Sequence, residues 1–105
     1  MECFGHKIRS LRESHELLLR QVAAAIDIDQ ALLSKIERGE RIATKNQVIA
    51  LASFFEIDKR KLLTLWLGEK IAYEIKDEDI ANDALKVAEE AINYLKMQKE
   101  KLTHV

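Results

Sequence analysis

Between Leu18 and Gly39 the chain reads LLRQVAAAIDIDQALLSKIERG. Leu18, Val22, Ala23 and Ile26 recur at helical spacing, so the first part of this stretch predicts a short helix with one apolar face. The pattern breaks at Asp27, and Asp29 offers a side-chain oxygen to the free N–H groups of a second helix, QALLSKIER. Gly39 closes that helix, because glycine takes the left-handed conformation of a helix end without steric cost. Leu33 and Ile36, three apart, face inward and leave Gln30, Ala31, Ser34, Lys35 and Arg38 on the outside. The stretch is therefore two short helices joined by a tight turn at Asp27–Ile28, the second with a polar outer face.

The flanking sequence is helical too. Upstream, Phe4, Ile8 and Leu11 share one face with Arg12 as its odd member. Downstream, Thr44 and Gln47 form a capping-box pattern that opens TKNQVIALASFF, with Val48, Leu51, Ala52 and Phe55 as its buried stripe. Asp58 then caps KRKLLTLWLGEKIAYEI, in which Leu63, Leu67, Ile71 and Ile75 repeat every four residues. Gly68 lies inside this run, where a helix could kink or stop; continuation is the favoured reading. After KDED, the residues Ile80, Ala84, Val87, Ala88, Ala91, Ile92 and Leu95 form the stripe of a long amphipathic helix. The expected class is all-α: a five-helix domain over residues 1–68 and a C-terminal helical extension over residues 69–105.

Composition bounds the function. Seventeen basic against eighteen acidic residues in 105 give a net charge of −1, so no general basic excess marks a nucleic-acid binder. An apolar content of 48% suffices for a core and argues against disorder. No apolar run reaches the roughly 18 residues of a membrane span. The opening MECFGHKIRS lacks the apolar centre of a signal peptide, and the single cysteine, Cys3, agrees with a reducing compartment; the expected location is the cytoplasm. Charge divides unevenly, with 11 basic and 9 acidic residues through Gly68 and 6 and 9 thereafter, so the two segments are expected to meet different partners.

In IRSLRE (8–13), VAAAI (22–26) and LLSKIERGER (32–41), including Ser-x-Ile-Glu-x-Gly at Ser34, Ile36, Glu37 and Gly39, the chain resembles the Cro/C1-type helix-turn-helix family, also called the XRE family. The likeness runs from about Phe4 to about Leu67. It implies a DNA-binding transcriptional regulator that meets a double-stranded operator as a homodimer. It also implies that Arg12 pairs with Glu37, a structural ion pair that ties the first helix to the recognition helix. A helix presented as residues 30–38 are would lie in the major groove with its N-terminal end nearest the bases. Gln30 suits adenine, Lys35 suits guanine O6 or N7, Ala31 offers a methyl to thymine, and Ser34 completes the base-facing set. Arg20, Arg38, Arg41 and Lys45 are the expected phosphate contacts, which position without reading sequence.

Three positions depart from the family pattern. Leu18 stands where a capping Ser or Thr is usual, Leu19 where a DNA-contacting Gln is usual, and Asp27 where the turn has Gly. Asp tolerates the left-handed turn conformation better than most residues. Neither leucine can cap a helix or bond a phosphate through its side chain, so the start of the second helix is left to backbone N–H groups and Arg20.

The remaining chemistry reads as bland. His6, His15 and His104 lack metal-ligand spacing, and Asp77, Asp79 and Asp83 lack the glycine and terminal glutamate of a calcium loop. With no nucleophile–base pair, metal set or phosphate loop, neither an enzyme nor a cofactor is expected. The apolar C-terminal stripe must pack on something, and the expected dimer interface covers residues about 60–95, with Trp66, Ile71 and Leu95 as anchors. The alternative is a protein-interaction module, an antitoxin or anti-regulator partner, that binds a different protein through this helix.

Overall fold

Six α-helices, and no strand, make up the described residues (2–103) of the computed structural model. They are α1 (Phe4–Ser14), α2 (Leu19–Ala25), α3 (Gln30–Glu37), α4 (Lys45–Phe54), α5 (Lys59–Ile75) and α6 (Ala81–Thr103). The all-α class holds; the count is one above five because the extension contributes a helix of its own. His104 lies outside the described residues.

Helix starts follow the local chemistry of the sequence. Asp29 Oδ1 accepts from Ala31 N–H at 3.2 Å, and Asp58 Oδ1 accepts from Lys61 N–H at 3.2 Å. Thr44 and Gln47 form the reciprocal capping box, with Gln47 N–H donating to Thr44 Oγ1 at 3.2 Å and Thr44 N–H to Gln47 Oε1 at 2.9 Å. Leu18 has no acceptor in its side chain, so only half of such a box exists at α2: its N–H donates to Gln21 Oε1 at 2.7 Å. The first helix is capped from a distance, Phe4 N–H donating to Glu69 Oε2 of α5 at 2.8 Å.

Helix ends share one device. Glu16, Asp27, Gly39 and Glu56 follow α1 to α4 with positive φ (55°, 57°, 75° and 53°). After each, the next N–H donates back to the helix: Leu17 to Arg12 O, Ile28 to Ala23 O, Glu40 to Lys35 O and Ile57 to Ala52 O, at 2.9–3.0 Å. This is the Schellman termination, which satisfies carbonyls a helix leaves unpaired. Leu17, Ile28 and Ile57 then pack against the core, so each left-handed residue turns the chain back towards the interior.

The chain divides into two compact units, one through Ala72 and one from Tyr73. Helix α5 runs unbroken through Gly68. The first unit holds a single core in which Ile8, Val22, Leu33, Val48 and Leu51 are fully buried, joined by Phe4, Ile36, Phe55, Leu62 and Trp66. Gly5 marks the closest approach within it: a Cβ there would come within 2.5 Å of the backbone oxygens of Ile36 and Glu37. The second unit contains α6, and none of the described side chains of that helix is buried.

Two substitutions with opposite outcomes test this account in urea denaturation. Gly5→Ala must push α1 off rigid backbone and is expected to destabilise the domain by about 1–3 kcal/mol. Glu56→Gly removes the cost of a left-handed non-glycine residue and is expected to stabilise by about 0.5–1 kcal/mol. A wild-type midpoint for either variant would contradict the corresponding assignment.

Candidate nucleic-acid interface

Helix α3 buries Leu33, Ile36 and Glu37 and leaves Gln30, Ala31 and Lys35 exposed, with Ser34 half-buried. Its outer face is therefore a polar strip held on an apolar one, and the helix cannot rotate without exposing Leu33 and Ile36. Arg38 and Arg41 lie exposed in the loop after α3, and Lys45 is the exposed first residue of α4. Arg20 is exposed in the first turn of α2. Arg38 Nη2 sits 3.1 Å from Glu40 Oε2 in an exposed pair. Such an exposed pair is worth about 1 kcal/mol at most.

What fixes this face is a charged contact behind it. Arg12 Nε donates to Glu37 Oε2 at 2.8 Å and Arg12 Nη2 to Glu37 Oε1 at 3.0 Å, a bidentate pairing. The side chains are only 13% and 5% exposed. Arg12 Nη1 also donates to Leu17 O at 3.0 Å, so one guanidinium joins α1, the turn after it and the last turn of α3. The hydrogen bonds it donates to Glu37, with that carboxylate's charge, hold the Arg12 guanidinium pKa above its ordinary value against the opposing effect of burial. A cation stabilised this way loses its contribution only as pH rises through that raised value, so the pair adds no pH dependence at neutral or moderately alkaline pH. Among the described residues no buried side-chain polar atom lacks a partner.

The loop carrying Arg38 and Arg41 is anchored from below. Ala43 is buried, and its carbonyl accepts from Trp66 Nε1 at 2.7 Å. A buried indole N–H needs an acceptor, and this carbonyl lies in the loop between helices. Trp66 is thus buried within its own unit, with Lys70 Nζ over its ring at 5.3 Å. Ile71, in the first unit, and Leu95, in the second, remain exposed, at 42% and 64%.

Several positioning residues escape a reading of the sequence. Gly5 and Glu69 act on partners more than thirty residues away, so neither has a local pattern; a glycine inside a helix is the one trace that Gly5 leaves. Gln21 was legible in principle, as the third residue after a helix start, but Leu18 hides the capping pattern. Asp27 does take the left-handed conformation expected where the family has glycine.

A family model described as helix-turn-helix matches residues 8–62, more than half of the chain, and the chain belongs to that Cro/C1-type family of DNA-binding regulators. No curated protein and no solved structure matches it. No helix among the described residues is long and apolar enough to cross a membrane.

The contact behind α3 makes a sharp prediction. Glu37→Ala leaves Arg12 buried without its carboxylate and is expected to cost about 3–5 kcal/mol in chemical denaturation. Replacing both residues by apolar ones, Arg12→Met with Glu37→Leu, is expected to cost less than Glu37→Ala alone. Two additive losses would show that the charges are not coupled.

Proposed function

We propose that this protein is a sequence-specific transcriptional regulator that binds a two-fold operator as a homodimer, with α3 in the major groove. The observation that carries this reading is the exposed polar strip of α3, set on a buried apolar side and held by Arg12 and Glu37. Gln30, Ala31, Ser34 and Lys35 face the base edges at the N-terminal and middle turns of the helix. Arg20, Arg38, Arg41 and Lys45 surround that strip and bind phosphates. Acting on DNA, the protein works in the cytoplasm.

The homodimer follows from size. A helix of eight residues reads only a few base pairs, and a two-fold pair of them doubles the site, with half-sites about 34–36 Å apart. Ile71 and Leu95 are exposed apolar residues suited to such an interface. The segment from Glu69 onward, with nine acidic and six basic residues, is suited to lie away from phosphates.

Selection from a random duplex pool is expected to enrich a two-fold-related motif. Lys35→Ala should relax preference at particular bases, while Lys45→Ala should weaken all sequences alike and lower the salt slope by about one. An unchanged motif and affinity for Lys35→Ala would remove the base-reading assignment. Separately, a chain ending at Ala72 keeps Glu69 and the whole core. It is expected to retain its helices yet lose dimerisation, read by light scattering, and most of its specific affinity.

A further inference from the structure

We propose that α6 is the self-association element and pairs antiparallel with α6 of a second copy. This rests on the homodimer reading and adds to it which helix makes the contact and in which direction. The helix is 23 residues long, and its apolar residues stay in water: Val87 is 66% exposed, Leu95 64% and Leu102 78%. A lone amphipathic helix of this kind is marginal in water, so its face needs a cover.

Two gradients along the helix say what the cover is. The first is charge. From Ala81 to Glu90 there are three acidic residues (Asp83, Glu89, Glu90) and one lysine (Lys86), net −2. From Ala91 to Thr103 there are three lysines (Lys96, Lys99, Lys101) and one Glu100, net +2. The second is bulk. The apolar stripe is smaller in its N-terminal half, with Ala84, Val87, Ala88 and Ala91, and bulkier in its C-terminal half, with Ile92, Leu95 and Leu102.

A parallel pair would set like charge against like along its whole length, with leucine facing leucine at one end and alanine facing alanine at the other. An antiparallel pair reverses both mismatches at once. With the two-fold axis near Asn93, Leu102 of one copy lies level with Ala84 of the other, and Leu95 with Ala91. In the same register Glu90 lies level with Lys96, Glu89 one residue from it, and Asp83 two residues from Lys101. One offset thus satisfies size and charge together, as the self-complementary patch of a two-fold interface requires. Opposite charges across helices also set their orientation in coiled coils. A different protein on this face would have no reason to match both gradients of α6 to α6 itself.

Cross-linking of the full-length chain tests the direction. Cys3→Ser removes the native thiol, after which Ala84→Cys and Leu102→Cys are made in separate chains. Mixed and mildly oxidised, the two variants are expected to form a disulfide with each other. Neither should cross-link to itself, since like positions lie about 27 Å apart along the axis. Lys96→Glu is expected to weaken the dimer about tenfold in a dilution series, two attractive pairs having become repulsive, and adding Glu90→Lys should recover most of the loss. Self-cross-linking of either cysteine variant, or a dimer that yields no mixed cross-link, would overturn the antiparallel pairing and leave the homodimer standing. A monomeric full-length chain would overturn both.

Discussion

The side chain of Arg12 is the point on which the DNA-facing unit turns. Its guanidinium meets both oxygens of Glu37 and the carbonyl of Leu17. Gly5 lies two helical turns further back on α1, against the carbonyls of Ile36 and Glu37. The two contacts are parts of one constraint. Without a Cβ at Gly5, the α1 backbone can approach the last turn of α3, and that approach brings the guanidinium within reach of the carboxylate. The pair contributes orientation more than net stability, because desolvating two charges offsets much of their attraction. Breaking it is costly, and rotating α3 would break it.

A second constraint operates at the helix ends. Four successive helices end in the same left-handed geometry, yet only one of the four residues is glycine. Two glutamates accept a strained conformation there. In both cases the next residue is apolar, Leu17 or Ile57, and its packing on the core offsets the local cost. At Gly39 the next residue is Glu40, which is exposed and offers no such return. The position without packing support is the one that carries glycine, as the balance of strain against burial would have it.

These features also explain what the amino-acid order reveals and what it conceals. The spacing of Leu33 and Ile36, the caps at Asp29, Thr44 and Asp58, and the stop at Gly39 act within a few residues, so the helices and the polar strip of α3 are legible locally. Trp66 illustrates the limit. Its spacing places it on an apolar helix face, but spacing does not distinguish a core face from an interface. The choice is made by Ala43, 23 residues earlier, whose carbonyl takes the indole N–H. Glu69 is a stronger case, since its hydrogen bond to Phe4 spans 65 residues. That bond also shows why α5 runs through Gly68: the carboxylate just beyond the glycine belongs to the first unit, and a helix broken there would leave the start of α1 uncapped.

The composition of the whole chain conceals its function, because near-neutrality averages two unlike parts. The unit through Ala72 surrounds a polar helix face with arginines and lysines, while the remainder is acidic at its start and basic towards its end. A DNA-binding surface needs positive charge only where phosphates lie, and a self-associating helix needs charges that cancel against a copy of itself. Neither demand leaves a net charge to notice. What distinguishes the two is arrangement: on the first unit exposed cations flank a strip whose opposite side is core, and on α6 the charges are graded along an axis. The first pattern is complementary to a polyanion, the second to its own reverse.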